Sequence, residues 1–251
     1  MSPPPRAWLA PPWRRVALLG LLSPLLWLQA RQVRRRTPRM PEPPGLRAGR
    51  SGHGPLVRLL VAGDSGAAGV GVESQELALC GQLVARLAQT HTVAWCVLAV
   101  NGLDSPGLLH LLAQAPSARF DVVVLSMGAN DATGLCAPQA WARWQSRLAA
   151  LITERFAPTL LVHSAVPPMH SCQALPQPLR WFMGHWARQM NHCLAGQIAQ
   201  APGRSLHWHP ANTTAVGLSA DGIHPSAAGY ARWAEGLSQH ILSRHPSHPP
   251  P

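Results

Sequence analysis

Lysine is absent. All 21 basic residues of this 251-residue chain are arginine, a compositional bias to which we assign no physical cause. Cysteine is sparse and poorly spaced for either of its framework roles. Cys80, Cys96, Cys136, Cys172 and Cys193 are odd in number and contain no CxxC pair. That excludes a disulfide framework beyond a single bridge, and no zinc spacing is present. Cys80 and Cys96 fall in apolar patterns and read as core thiols. Internal repeats are absent as well, and the length suits one α/β domain with a sizeable core.

Acidic residues are scarce, and their distribution matters more than the net charge of +11. Residues 1–50 hold ten arginines against one acid, Glu42, whereas residues 51–251 hold 11 arginines and nine acids. The basicity therefore belongs to an N-terminal tail. A basic tail suits anionic lipid headgroups, and the near-neutral remainder argues against nucleic acid as a partner.

Long hydrophobic runs are also lacking. The one candidate, residues 16–30 inside a basic N-terminal segment 1–36, is apolar apart from Gly20, Ser23 and Gln29 and carries Pro24. Fifteen helical residues span roughly 22 Å, short of a hydrocarbon core of about 30 Å. Three readings stay open: a tilted or mismatched membrane anchor, a secretory signal ending near Leu28-Gln29-Ala30, and a segment lying on a membrane surface. Under the first, arginine is denser after the segment, which puts the domain on the cytoplasmic side. Under the second, the domain is secreted or periplasmic. Residues 37–55, rich in Pro, Gly and Arg, read as a linker, and residues 244–251 as a disordered tail.

Between them, residues 56–243 alternate strand and helix patterns. Strands are expected over 56–62, 92–100, 120–126, 159–166 and 205–209. Helices are expected over 73–89, 106–114, 138–156, 179–200 and 226–242. That alternation implies a parallel sheet of about five strands covered on both faces.

Four loops carry the chemistry. Leu59–Ala62 is an apolar run that stops at Gly63-Asp64-Ser65-Gly66, which puts a serine at the carboxyl edge of the sheet, where ligands bind in open α/β folds. Asn101-Gly102 follows the second strand, Gly128-Ala129-Asn130-Asp131 the third, and Asp221-Gly222-Ile223-His224-Pro225 precedes the last helix. A serine hydroxyl needs a base to take its proton, and His224 is the candidate. Asp221, three residues earlier, can reach Nδ1 of that ring and fix its tautomer. The N–H groups of Ser65 and Gly102 and the amide of Asn130 are candidate donors to an oxyanion. Asp64 is expected to hydrogen-bond within the serine turn. Asp131 is expected to tie down its own loop or cap the next segment. His163, His170, His185, His192, His207 and His209 are rival bases. The long loop 166–178 should form one wall of the site, and Trp181, Phe182 and Trp186 supply either an apolar pocket or core.

These blocks, in this order and spacing over residues 56–243, resemble those of the SGNH hydrolases, also called GDSL esterases and lipases. The ending Asp221-Gly222-Ile223-His224-Pro225-Ser226-Ala227-Ala228-Gly229-Tyr230 is the most specific. The resemblance implies a flavodoxin-like three-layer α/β/α sandwich. It implies Ser65 as nucleophile, His224 as base, Asp221 as its orienting acid, and Ser65, Gly102 and Asn130 as the oxyanion hole. It implies no metal or organic cofactor. Gly66-Ala67-Ala68-Gly69 departs from the Leu-Thr/Ser that many members carry after the serine, and Leu103-Asp104 departs after Gly102. The expected activity is a serine esterase acting on a small-molecule or lipid ester. The alternative is an O-acyltransferase or deacetylase working on a sugar or lipid. A silent binding domain is disfavoured because no reacting group is missing.

Overall fold

The computed structural model describes residues 12–36, 40–209 and 217–244. Helix α1 runs Pro12–Arg36, and strand β1, Ala48–Ser51, precedes β2, Leu56–Gly63. The short helix α2, Ser65–Ala68, leads to α3, Leu79–Leu87, and β3, Thr92–Ala99. Then come α4, Ser105–Gln114, β4, Val122–Ser126, α5, Ala129–Thr133, and α6, Pro138–Phe156. The chain ends with β5, Leu160–Ser164, α7, Leu179–Ile198, β6, Arg204–His207, and α8, Ala227–Leu242.

The sheet order is β1-β3-β2-β4-β5-β6. From β3 to β6 all neighbours are parallel. In chain order these five strands run 2-1-3-4-5, the flavodoxin-like arrangement, with its switch point at the carboxyl ends of β2 and β4. Side chains alternate across the sheet. Leu59 and Val61 of β2 pack with α3 and α8, whereas Leu60 and Ala62 pack with α4 and α6. Helices on both faces explain why β2 and β4 are unbroken apolar runs. A third cluster joins α7, Trp141 of α6 and loop residues 166–175.

The sixth strand was not expected. Ala48–Ser51 lies in the stretch read as linker, and it pairs antiparallel with β3, Ala48 opposite Cys96. Residues 40–47 are bound to the domain too. Glu42 accepts from the Asn101 N–H at 2.6 Å and pairs with Arg47 at 2.6 Å, and Arg47 donates to Ala99 O. Helix α3 starts six residues later than its pattern suggests, for a related reason. Buried Gln75 donates to Pro43 O and Ala68 O, and its own N–H donates to Pro44 O, so residues 73–78 are spent on turns.

No helix among the described residues is long and apolar enough to cross a membrane. Helix α1 instead packs one side, with Leu26, Ala30 and Val33, against the α7 cluster. The expected disordered tail, apart from Arg244, lies outside the described residues.

The tightest approach in the sheet is at Gly63. A Cβ there would lie 2.0 Å from Ser126 O, which also accepts the Asp64 N–H at 3.1 Å. Gly63→Ala should therefore cost about 2–4 kcal/mol, read as a lower urea midpoint. An unchanged midpoint would mean β2 and β4 separate freely at this end.

Candidate active site

The carboxyl edge of the sheet carries a cavity of about 310 Å³. Asp64 follows β2 and caps α2, its Oδ1 accepting from the Gly66 N–H at 3.1 Å. Ser65 is thereby the first residue of α2, nearly buried, with its hydroxyl at the cavity. Its backbone N–H opens the helix and has no acceptor among the described residues.

The loop before α8 reaches the same point from the other side. Its anchor is the Ser226 cap of α8, together with the fully buried Tyr230, whose hydroxyl donates to Val70 O at 2.8 Å. His224 Nε2 lies 3.1 Å from Ser65 Oγ, and Nδ1 lies 2.5 Å from Asp221 Oδ2. The other oxygen of Asp221 accepts from Ser219 Oγ at 2.8 Å and from the N–H groups of Ile223 and His224, each at 2.9 Å. Burial alone would raise this carboxyl, but the bonds from the His224 ring, Ile223, the His224 backbone and Ser219 outweigh it. Asp221 is held well below the usual carboxylate range. An ionised carboxylate only accepts, so His224 Nδ1 carries the proton and Nε2 presents its lone pair to Ser65.

Asn130 sits at the start of α5 and borders the cavity. One of its amide hydrogens goes to Leu103 O at 2.8 Å, tying it to the loop that holds Gly102. Gly102 itself does not line the cavity; its neighbour Asn101 does. A Cβ at Gly102 would meet nothing within 4 Å, so what demands glycine there is the backbone, at φ +84°. Asp131 departs from expectation. Its Oδ1 accepts from the Ser105 N–H at 3.2 Å, so it ties α5 to the start of α4 rather than to its own loop.

The loop after β5 forms a wall as expected, with Pro167, Pro168, Met169, Ser171 and Cys172 at the cavity. The aromatic trio does not. Phe182 and Trp186 stack at 5.6 Å and pack on the α7 cluster, while Trp181 is exposed beside His185. Among the rival histidines, only His209 borders the cavity. Its Nε2–H donates to Ala165 O at 2.8 Å, and desolvation pushes the ring down to about 4. Burial likewise pushes Cys172 up to about 11, leaving it a neutral thiol. The five cysteines are unpaired, and no metal-holding cluster occurs among the described residues.

Several residues at the site carried no sequence signal. Ser126 ends β4 and Met127 follows it, and Arg232 and Trp233 come from α8. Trp233 donates to Ser164 Oγ at 3.1 Å and packs 4.9 Å from His209. Ser219 supports Asp221 from two residues upstream, a spacing common in ordinary turns.

A family model described as the GDSL-like Lipase/Acylhydrolase family matches residues 61–232. A search of curated proteins finds no match. Among solved structures, the chain is similar to a carbohydrate esterase family 2 enzyme plus carbohydrate binding domain from Corynascus thermopiles (Myceliophthora fergusii). The TM-score is 0.63 at 16% identity, covering 78% of this chain and 68% of that one. It is similar also to a member of the lipolytic protein G-D-S-L family from Veillonella parvula, with TM-score 0.59, 14% identity, and coverage of 74% and 98%. A third is Axe2, an acetylxylan esterase from Geobacillus stearothermophilus, with TM-score 0.52, 16% identity, and coverage of 75% and 95%. At these identities the likeness is one of fold.

Two carboxyls at this site respond oppositely to pH. Burial, only partly offset by the Gly66 N–H, raises Asp64 from 3.8 to about 7. The folded state then holds a proton that the unfolded chain has released, so stability falls as pH rises between those values. Asp221, held low, stabilises above its unfolded value and loses that contribution on acidification. Asp64→Asn should flatten the decline in urea midpoint between roughly pH 4 and 7. An unchanged slope would assign the decline to another group.

Proposed function

Because the chain belongs to the GDSL-like lipase/acylhydrolase family and is an SGNH-type ester hydrolase, we propose that it cleaves carboxylic ester or thioester bonds through an acyl-enzyme on Ser65. The observation that carries this reading is the hydrogen-bonded chain from Ser65 Oγ through His224 to Asp221, at 3.1 and 2.5 Å.

In the first half-reaction, the Ser65 hydroxyl proton passes to His224 Nε2 as Oγ bonds to the ester carbonyl carbon. Asp221 stabilises the imidazolium that forms, and its low proton affinity keeps it from taking the proton itself. The carbonyl oxygen becomes an oxyanion. Its donors at the cavity are the Ser65 N–H and the Asn130 amide hydrogen not given to Leu103. The third expected donor, the Gly102 N–H, follows cavity-lining Asn101 and reaches the oxyanion only if its loop turns inward around substrate. The carbon–oxygen or carbon–sulfur bond then breaks, and His224 returns its proton to the leaving group. In the second half-reaction, water gives a proton to His224 and its oxygen attacks the acyl carbon. The acid departs and the proton returns to Ser65 Oγ. Every step is a proton transfer or acyl transfer, so no organic cofactor or metal is called for. The cavity wall of Met127, Met169, Ile223 and Trp233 offers apolar surface to the non-reacting part of the ester.

The test is hydrolysis of p-nitrophenyl esters from acetate to palmitate by the full chain. Turnover should fall on the order of 10³-fold or more in Ser65→Ala. Asp221→Asn should lose about 10²–10⁴-fold in kcat with KM little changed, because the tautomer is no longer fixed. Asn130→Ala should lose about 10²–10³-fold. Turnover that persists in Ser65→Ala would remove the acyl-enzyme reading. A folded enzyme that releases product only when an alcohol acceptor is added would be a transferase.

A further inference from the structure

Helix α1 has two apolar sides, and the fold covers only one. Leu26, Ala30 and Val33, spaced at i, i+4 and i+7, pack on the α7 cluster. Gln29 locks that side by donating to Gln177 O at 2.7 Å and accepting from the Leu179 N–H at 3.1 Å. The opposite side repeats the spacing with Leu21, Leu25 and Leu28, which are 80%, 44% and 56% exposed. Trp27, about a quarter turn round the helix from Leu28 and on the Arg31 side, is 60% exposed, and the Arg31 guanidinium lies 5.4 Å from its ring. Continuing along the helix, the same outward side turns basic with exposed Arg31 and Arg35. The ion pairs among the described residues are Arg47–Glu42, Arg58–Asp121 and His224–Asp221, so no carboxylate serves these arginines. Elsewhere exposed large apolar residues such as Leu56, Val100 and Leu135 belong to different elements and loops, which is ordinary.

We propose that the outer side of α1 is a docking surface for an anionic lipid bilayer, with Leu21, Leu25, Trp27 and Leu28 entering the headgroup region and Arg31 and Arg35 pairing with lipid phosphates.

Charge complementarity selects this occupant. Residues 1–36 contain seven arginines and no acid. Two copies of the chain meeting on this side would bring like charges together, whereas an anionic bilayer opposes them. The inner side of α1 stays hydrogen-bonded to the domain, so docking requires the helix to lie along the surface rather than cross it. The helix also lies close to the site. Its Val33 and Arg36 border a cavity shared with Met40, Pro176 and Asp221, and Gln177 belongs to the loop whose earlier residues wall the ester-binding cavity. Docking would thus hold that loop near a lipid surface. The proposal does not depend on the esterase reading.

The test is co-sedimentation of the full chain with vesicles of phosphatidylcholine alone or mixed with phosphatidylglycerol, at low and high salt. Binding to the mixed vesicles should exceed binding to the neutral ones roughly tenfold and weaken with salt. Leu21→Glu/Leu28→Glu should reduce binding roughly tenfold or more. Both positions are exposed, so its thermal melting should match the parent's. Arg31→Gln/Arg35→Gln, which leaves the apolar stripe intact, should lose the preference for anionic lipid. Ser65→Ala should bind like the parent, which separates docking from catalysis. The proposal is overturned if no vesicle binds the chain or if the Leu→Glu variant binds equally. It is also overturned if light scattering shows a dimer that this variant dissociates, since the stripe would then join two copies.

Discussion

The contact on which the site depends is that between the ends of β2 and β4. Ser126 O accepts the Asp64 N–H, and only a residue without Cβ fits at Gly63 beside it. Because the two strands meet so closely, the chain leaves the sheet at once. Asp64 becomes a helix cap, and Ser65 emerges at the crevice where the strand order reverses. The rest of the site is delivered to that fixed point. Asn130 comes from the loop after β4, and His224 comes from the loop before α8. Helix α8 is itself pinned by Tyr230 to the turn after α2 and by Trp233 to Ser164 of β5.

Two aspartates within this small region are driven in opposite directions, Asp64 upward by burial and Asp221 downward by its hydrogen bonds. Asp221 is buried yet accepts four hydrogen bonds, so its charge is more than compensated. Asp64 is raised to about 7, first by burial and then by the like-charged Asp131, against the Gly66 and Ala129 N–H groups, so it is only partly ionised at neutral pH. The contrast sets a firm negative charge behind His224 and a weaker one beside Ser65.

Much of this was legible in the sequence, for identifiable reasons. Helix α6 shows a strong 3.6-residue period, and β2 and β4 are apolar runs bounded by turns, so their placement followed directly. The order of the four loops then located Ser65, Asn130, Asp221 and His224. What was hidden depended on partners distant in sequence. Ala48–Ser51 has no alternation to mark a strand and is held by β3 and by Arg47. The delayed start of α3 depends on Gln75 reaching back to Pro43. Asp131 bonds to α4, 26 residues upstream. Trp233 looks like any core residue of α8 until His209 and the cavity are placed against it. Gly102 stood out as a turn glycine, but that its backbone angle is what requires glycine there shows only in the fold.

The central claim is that Ser65, among the serines of the cavity, is made nucleophilic by His224. Ser126 and Ser171 border the same space and serve as built-in controls. A fluorophosphonate reacts by bonding phosphorus to an activated serine oxygen with loss of fluoride, and peptide mass spectrometry locates the adduct. The account predicts labelling of Ser65 alone, abolished in His224→Ala. An adduct on Ser126 or Ser171, or labelling of Ser65 that survives loss of His224, would contradict it.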